Sequence, residues 1–376
     1  MDRNEKFLFN FEKEAAFTRL VETILTEDAY LILNGDIFDF TGMTPCQNGK
    51  EEFFDQAVRP EKINHELIKK VSKFRSTSEL LTDINHVFPH FFNGLSKLAK
   101  KNRLIYIPGN HDCDFLKSSA QKDLSDLLNV PQGQILWSRQ YRIGENVYVT
   151  HGNQYDAPNA TENSCLNSGM VFTSALYMAV LPALQMLGAH PDIVAAIPAV
   201  RPEENVIKDL QHFLSKEELE KILLGLTRLL ARNHYFRGLS TVPGWLLKHD
   251  VPLLSRFIRK NVTPERLQAL LPKDEKLIQN ARVGAQKLLK QLVRKGEATK
   301  NTTIVLGHTH ELDRVPNYIN LGTWVDHLRG MDADELASPQ ISLPVLRCSG
   351  KDELSLLEFR DLRGHSEFKN CPALQI

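Results

Sequence analysis

Residues 30–40 read YLILNGDIFDF. The apolar residues at the start are typical of a short buried β-strand, and Asn-Gly ends the run in a turn. Three later stretches repeat this form, each a β-rich apolar run followed by glycine: RLIYIPG (103–109), NVYVTHG (146–152) and TTIVLGH (302–308). Helical periodicity also occurs, for example from Phe11 to Leu25. This alternation of strands and helices predicts an α/β protein.

Polar side chains gather where these predicted strands end. They are Asp36 and Asp39, Asn110-His111-Asp112, His151, and the pair His308 and His310. Because ligands of open α/β sheets bind at the carboxyl ends of strands, the four loops are expected to converge on one site. Carboxylate, amide oxygen and imidazole form the mixed ligand set that suits Mn²⁺, Fe or Zn²⁺.

Each motif also has an ordinary explanation when it is taken alone. Gly-Asp after a strand is usually a turn, and His151 by itself is compatible with a buried histidine whose nitrogens are satisfied. His-x-His is the most specific of the four, since alternate residues on a strand face the same way. The four motifs together, each after an apolar run, favour a functional site.

GDxxD, GNHD, HG and GHTH, in that order, resemble the calcineurin-like metallophosphoesterase family. LILNGDIFDF (31–40) and YINLGTW (318–324) are most similar to the branch that contains the UDP-diacylglucosamine pyrophosphatases. The resemblance implies a four-layer α/β/β/α sandwich with an inserted helical cap. It also implies a metal-dependent hydrolase of phosphoric esters or pyrophosphates, with an amphipathic or nucleotide-linked substrate.

The resemblance assigns roles to the matching residues. Asp36 would bridge two divalent ions, with Mn²⁺ preferred and Fe or Zn²⁺ as alternatives. Asn110, His151 and His308 would complete the second metal position, and His310 would belong to the first. Two such ions polarise a phosphoryl group and activate the attacking water.

His111 matches a position that is not a primary metal ligand in the family. It would face the leaving-group oxygen as a general acid or as a stabilising charge. Asp39 and Asp112 are expected to orient the imidazoles or the loop.

One family motif has no counterpart in this chain. Family members begin with a strand that ends in Asp-x-His and binds the first metal, whereas the nearest candidate here is Asp2-Arg3-Asn4. The first metal keeps Asp36 and His310, fewer than the three ligands usual in catalytic sites. Either the protein extends upstream of Met1, where we expect the missing strand, or the site has been lost. The intact later motifs favour an upstream extension, and the activity of the chain itself stays open.

The strand pattern stops between residues 163 and 300. Helical periodicity there, as in residues 216–233 and 275–295, predicts a helical insert that separates a first catalytic part (1–162) from a second (301–376). The run Gly169–Ala189 is long enough to span a bilayer, but Pro182 and its place between two core strands favour a buried or interfacial helix pair.

Residues 232–300 contain fifteen Lys and Arg against five Asp and Glu. A solvated helical face is the ordinary explanation. Basic charge next to an apolar run is also what peripheral contact with an anionic membrane needs. The expected partner is a phosphate-containing small molecule or a lipid-linked substrate, and nucleic acid is not expected because no RNA-binding motif is present. The oligomeric state is left open.

Charge and cysteine content set broad limits. Lys+Arg and Asp+Glu are equal at 46 each, which removes any global charge argument for a nucleic-acid or membrane partner. The five scattered cysteines predict free thiols, and the amino terminus lacks the apolar core of a secretory signal. A cytoplasmic protein is expected, with any membrane contact peripheral and at the inner face. The alternatives are a nuclease or protein phosphatase on the same core, or a non-catalytic relative with one metal.

Overall fold

A computed structural model describes residues 11–40, 76–156, 159–160, 274–324, 343–348, 354–359 and 368–370, with isolated positions between 173 and 219. These residues form an α/β fold with parallel and mixed sheets, as the sequence predicts.

The described helices and strands have the following bounds. The helices are α1 Phe11–Thr26, α2 Thr77–Val87, α3 Pro89–Lys100, α4 Ser118–Leu127 and α5 Asp274–Arg294. Short 3₁₀ turns lie at Cys113–Leu116, Gln132–Gln134 and Asn153–Tyr155. The strands are β1 Leu31–Asn34, β2 Leu104–Ile107, β3 Ile135–Trp137, β4 Gln140–Ile143, β5 Val147–Thr150, β6 Thr303–Leu306, β7 Leu312–Val315, β8 Tyr318–Leu321, β9 Leu343–Cys348, β10 Leu354–Phe359 and β11 Phe368–Asn370.

The first sheet has the order β1-β2-β3, and all its strands are parallel. Asn34 is level with Ile107, so β1 and β2 end at the same height. The loops that follow, with Asp36 and Asn110, therefore leave one edge of the sheet side by side.

The second sheet has the order β4-β5-β6-β8-β7. Its central strands β5, β6 and β8 are parallel, and the outer strands β4 and β7 are antiparallel to their neighbours. The backbone N–H groups of Gly307 and His308 both donate to the carbonyl of His151, at 2.9 and 3.1 Å. Pairing thus continues beyond the strand ends and fixes the histidine loops side by side.

Three apolar clusters hold these elements together. Helices α1 to α4 pack on one face of the first sheet, around residues such as Phe17, Leu95 and Tyr106. Helix α5 packs on the second sheet, where Ala281 and Ala285 meet Ile304, Leu306 and Tyr318. The third cluster joins residues from both sheets: Ile107, Val147, Val149 and Val305. Burial of these side chains brings the carboxyl ends of both sheets to a common place.

The structure confirms the predicted strands β1, β2, β5 and β6 and the predicted helices α1 and α5. Two further strands, β9 and β10, lie in the tail of the chain. Most of the predicted insert, including Gly169–Ala189 and residues 220–233, lies outside the described residues, as does Asp2-Arg3-Asn4. Among the helices that the structure describes, none has both the length and the apolar character needed to cross a bilayer.

The prediction of free thiols is wrong at Cys113. This fully buried residue is disulfide-bonded, whereas Cys348 forms no disulfide. The cysteines show no paired spacing in the sequence, because which cysteines meet is decided by the fold and not by local pattern.

Candidate metal centre

Asp36 follows β1 in a turn whose preceding position, Gly35, accommodates only glycine. Gly35 has a φ of +77°, and a Cβ there would lie 2.1 Å from Nδ1 of His151. Asp36 itself has a φ of +54°, in the left-handed region that is costly for residues other than glycine. The surrounding contacts hold this unfavourable conformation, and such strain is typical of functional sites.

A second carboxylate, Asp112, ties the loops of the first sheet together. It is fully buried and accepts hydrogen bonds from Gly109 N at 2.6 Å, Ile37 N at 2.9 Å and the hydroxyl of Tyr106 at 2.5 Å. Burial and the nearby Asp36 raise the pKa of Asp112. The contacts agree with the expectation that Asp112 orients the loop.

His151 is oriented by the backbone of the first sheet. Its Nδ1 lies 2.9 Å from the carbonyl oxygen of Asn34. A carbonyl can only accept, so Nδ1 carries the proton of this hydrogen bond. The other nitrogen, Nε2, lies 3.0 Å from Asp36 Oδ2 and 3.2 Å from Asn110 Oδ1. Nε2 therefore faces two oxygen acceptors and needs either a second proton or a cation between them.

His308 is oriented in the opposite way. Its Nε2 lies 3.1 Å from Oδ2 of Asp156, a buried carboxylate. Nδ1 of His308 is buried and makes no hydrogen bond within the described part of the chain. Ligand atoms of Asp36, His151 and His308 lie within 4.8 Å of one another.

The remaining predicted residues lie at the same edge. Asn110 is buried at 1% exposure and reaches His151 as described. His310 is more exposed, and its Nε2 lies 3.9 Å from Asp36 Oδ2. His310 also has a left-handed backbone, with a φ of +61°. The structure thus brings Asp36, Asn110, His151 and His308 together, and the more exposed His310 lies beside Asp36.

His111 contacts the site through its backbone, and its ring points to another partner. Its N–H donates to Asp36 Oδ1 at 2.8 Å, while its Nδ1 lies 3.2 Å from Asp39 Oδ1. The carbonyl of His111 accepts from Phe40 N at 3.1 Å. The His111 ring, held by Asp39, therefore lies next to the candidate ligands and is not one of them.

Asp36 and His151 shift each other's pKa in opposite directions. Burial alone raises the pKa of Asp36, but His151 and His111 outweigh it and hold that pKa well below the ordinary value. Burial lowers the pKa of His151, yet the Asp36 carboxylate outweighs it, and the pKa lies above the ordinary value. Without a metal, the pair is therefore held as carboxylate and imidazolium.

Sequence reasoning missed Asp156. It lies five residues after His151 in the run HGNQYD, beyond the His-Gly motif. The spacing of Asn153, Asp156 and Asn159 indicates a tight turn, because Asn and Asp side chains hydrogen-bond to the nearby backbone. Nothing local indicates that Asp156 contacts His308, which is 152 positions away.

The donor set fits a divalent ion. His308 Nδ1 is a buried acceptor-type atom that no hydrogen bond from the described residues satisfies, and Asp36 Oδ2 is buried with His151 Nε2 3.0 Å away. Gly109 keeps space for the carboxylate, since a Cβ there would lie 2.1 Å from Asp36 Oδ1. Two imidazole nitrogens with carboxylate and amide oxygens suit Mn²⁺, Fe or Zn²⁺ better than Ca²⁺.

Comparison of the chain with known protein families, with curated proteins and with solved structures gave no match. Its function is therefore inferred from the chemistry of the site.

Proposed function

We propose that this chain is a metal-dependent hydrolase of phosphoric esters or pyrophosphates, in which Asp36, Asn110, His151 and His308 hold a divalent ion. One observation carries the proposal: His151 directs Nε2 at two oxygen acceptors within 3.2 Å, because its Nδ1 is engaged by the Asn34 carbonyl. An arrangement of lone pairs that face one another is favourable only with a cation or a proton between them.

A divalent ion held by these residues supplies Lewis-acid polarisation of the phosphoryl group and a more acidic attacking water. His111 is assigned to the leaving group. Asp39 accepts from its Nδ1, which fixes the ring; the imidazole would then face the departing oxygen as a general acid or as a stabilising charge. Asp112 keeps the loop of His111 in place through its three hydrogen bonds.

A second ion is part of the proposal, and Asp36, shared with the first ion, and His310 would hold it. The 3.9 Å between His310 Nε2 and Asp36 Oδ2 is consistent with two residues that serve one ion. Two protein ligands are fewer than usual for a catalytic position, so we expect this ion to bind more weakly than the first.

We propose the four-layer α/β/β/α sandwich as the fold of the core. Its support comes from the three clusters, which place α1 to α4 on the first sheet, apolar contacts between the sheets and α5 on the second sheet. The proposed cytoplasmic location and lipid-linked or nucleotide-linked substrate rest on the sequence alone.

Peripheral contact with anionic membranes is also a proposal. Helix α5 carries the exposed basic residues Lys276, Lys287, Lys290 and Arg294, and the exposed Lys295 follows its end. Each such charge contributes about 1 kcal/mol near an anionic surface, and salt screens it. Sedimentation with phosphatidylserine vesicles should decrease as salt rises, and absence of binding at low salt would refute the contact.

One alternative has support in the structure: a non-catalytic protein that holds a single structural ion. The ligands of one ion are buried and close together, whereas His310 is more exposed. Metal stoichiometry and activity separate the two, since a hydrolase binds a second ion at higher concentration and turns over substrate.

The test uses the full chain, freed of metal by chelator and titrated with Mn²⁺ by calorimetry. We expect tight binding, and at saturating Mn²⁺ the hydrolysis of bis-p-nitrophenyl phosphate. Asp36→Asn should weaken binding by more than about 100-fold, because the bridging charge is lost. Asp126→Asn is the matched control, since Asp126 is an exposed carboxylate on α4 that pairs only with surface charge. A wild-type chain that binds no Mn²⁺ would contradict the proposal.

A further inference from the structure

We infer that Asp156 is a positioning residue that selects which nitrogen of His308 faces the ion. The inference rests on the proposed metal site. Asp156 Oδ2 lies 3.1 Å from His308 Nε2, and the carboxylate is 4% exposed. An ionised carboxylate can only accept, so Nε2 carries the proton and Nδ1 is left with its lone pair. That Nδ1 is the buried nitrogen for which the described residues offer no hydrogen bond.

The orientation of Asp156 is itself fixed by a closed set of hydrogen bonds. The side-chain amide of Asn159 donates to Asp156 Oδ2 at 2.6 Å, and Asn159 N donates to the Asp156 carbonyl at 2.9 Å. Asp156 N donates to the carbonyl of Asn153 at 3.0 Å, and the amide of Asn153 donates to the carbonyl of Asn159, also at 3.0 Å. The carboxylate therefore has little freedom to follow His308 if the imidazole turns.

The last helix of the predicted insert braces this loop. Gly284 of α5 packs so closely on Tyr155 that a Cβ would lie 2.3 Å from its Cγ. Two residues before Gly284, Arg282 donates from Nε to Asp313 Oδ2 at 2.7 Å. Asp313 lies on β7, three residues after His310. Helix α5 thus contacts the loop of Asp156 and the strand that follows the histidine pair.

Removal of the carboxylate should release the imidazole. Without an acceptor at Nε2, His308 is free to exchange its proton between the two nitrogens and to rotate, so fewer molecules present Nδ1 to the ion. Loss of such a hydrogen-bonding partner of a metal-binding histidine typically lowers metal affinity by about 10- to 100-fold.

The experiment compares Asp156→Ala, Asp156→Asn and the control Asp126→Ala, all in the full chain. Mn²⁺ affinity is measured by calorimetry, and the tautomer of His308 is read from ¹⁵N shifts in the metal-free protein at alkaline pH, with His308→Gln for assignment. We expect Nε2–H in the wild type, loss of that preference in Asp156→Ala, and Mn²⁺ binding weakened by about 10- to 100-fold. Asp156→Asn can place its amide oxygen at the same point, so it should recover part of both signals.

The outcomes are distinguishable. Wild-type Mn²⁺ affinity in Asp156→Ala, or a His308 protonated on Nδ1 in the wild type, overturns the inference and leaves the metal site standing. A wild-type chain that binds no Mn²⁺ overturns the proposed function, whereas the ¹⁵N tautomer still tests the Asp156 contact. If Asp156→Ala does not fold, Asn159→Ala replaces it, since it removes the amide that holds the carboxylate; unchanged affinity in that variant then counts against the inference.

Discussion

The two sheets contribute to the site in different ways. The edge of the first sheet supplies the oxygen donors Asp36 and Asn110, in short loops joined by the buried Asp112. The edge of the second sheet supplies the imidazoles, and His308 depends on Asp156, a side chain from another loop. His151 links the two edges through its hydrogen bond to the Asn34 carbonyl.

This difference shows which half of the site is sensitive to distant changes. A backbone carbonyl cannot be removed by a side-chain substitution, so the orientation of His151 depends on how the sheets pack. The orientation of His308 depends on one carboxylate and on the packing of α5 against Tyr155. We therefore expect the edge with Asp36 and Asn110, the oxygen side, to lose metal affinity only when its own loops are changed. The edge with His308, the imidazole side, should also lose affinity when helix α5 of the insert is changed.

The largest effect is expected from Gly109→Ala, which breaks the oxygen side. The new Cβ would lie 2.1 Å from Asp36 Oδ1 and 2.6 Å from the Asp36 backbone nitrogen, so the backbone has to move. We expect loss of measurable Mn²⁺ binding and destabilisation of about 1–3 kcal/mol by urea unfolding. Gly133→Ala is the matched control, because a Cβ at Gly133 meets nothing within 4 Å. Equal behaviour of the two variants would refute this account of the turn.

His111→Ala separates ligand from leaving-group chemistry on that same side. We expect turnover of bis-p-nitrophenyl phosphate to fall by about 100-fold, with Mn²⁺ affinity close to that of the wild type. The physical reason is that the His111 ring contacts Asp39, while its backbone N–H holds Asp36. Loss of bound metal in this variant would show that the imidazole is a ligand.

Gly284→Ala tests whether helix α5 of the insert supports the imidazole side of the site. Its Cβ would displace Tyr155 and with it the neighbouring Asp156, so Mn²⁺ affinity should fall by about tenfold while the fold is retained. Gly133→Ala again serves as the control. If Gly284→Ala binds Mn²⁺ as tightly as the wild type, the helix does not brace the site.

The last expected effect concerns pH and needs no substitution. His151 has a pKa above its ordinary value of 6.5, since Asp36 outweighs the effect of burial, and the proton on Nε2 occupies the place of the ion. Mn²⁺ affinity should therefore rise as pH increases through that raised pKa and then level off, by about tenfold per pH unit while one proton is displaced. Calorimetry in buffers of different ionisation enthalpy counts the released protons, and no release at pH 6.5 would contradict the assignment.

The same His151 proton affects the stability of the metal-free protein with the opposite sign. A raised pKa in the folded state stabilises the protein below the unfolded pKa, and this contribution is lost as pH rises through the folded value. Urea unfolding of metal-free protein should therefore show decreasing stability over the range in which Mn²⁺ affinity increases.

Much of the sheet core was predictable because its signals are local. The apolar runs that became β1, β2, β5 and β6 end in glycine and polar residues, and the alternation with helices indicated an α/β protein. The outer strands β3, β4 and β7 were not predicted, since short half-exposed strands such as Gln140–Ile143 carry little apolar pattern. The disulfide at Cys113 was missed for the reason that pairing is a property of the fold.

The sequence alone determined which chemical groups stand at the strand ends: a carboxylate after β1, an amide and an imidazole after β2, and imidazoles after β5 and β6. Local periodicity and glycine turns are enough for that, because both act over a few residues. Only the tertiary structure decided which atoms face one another. Nε2 of His151 and Nδ1 of His308 are selected by the partners of their other nitrogens, Asn34 and Asp156, which lie 117 and 152 positions away in the chain. A tautomer is fixed by the neighbour that hydrogen-bonds the ring, and no local pattern specifies a neighbour at that distance.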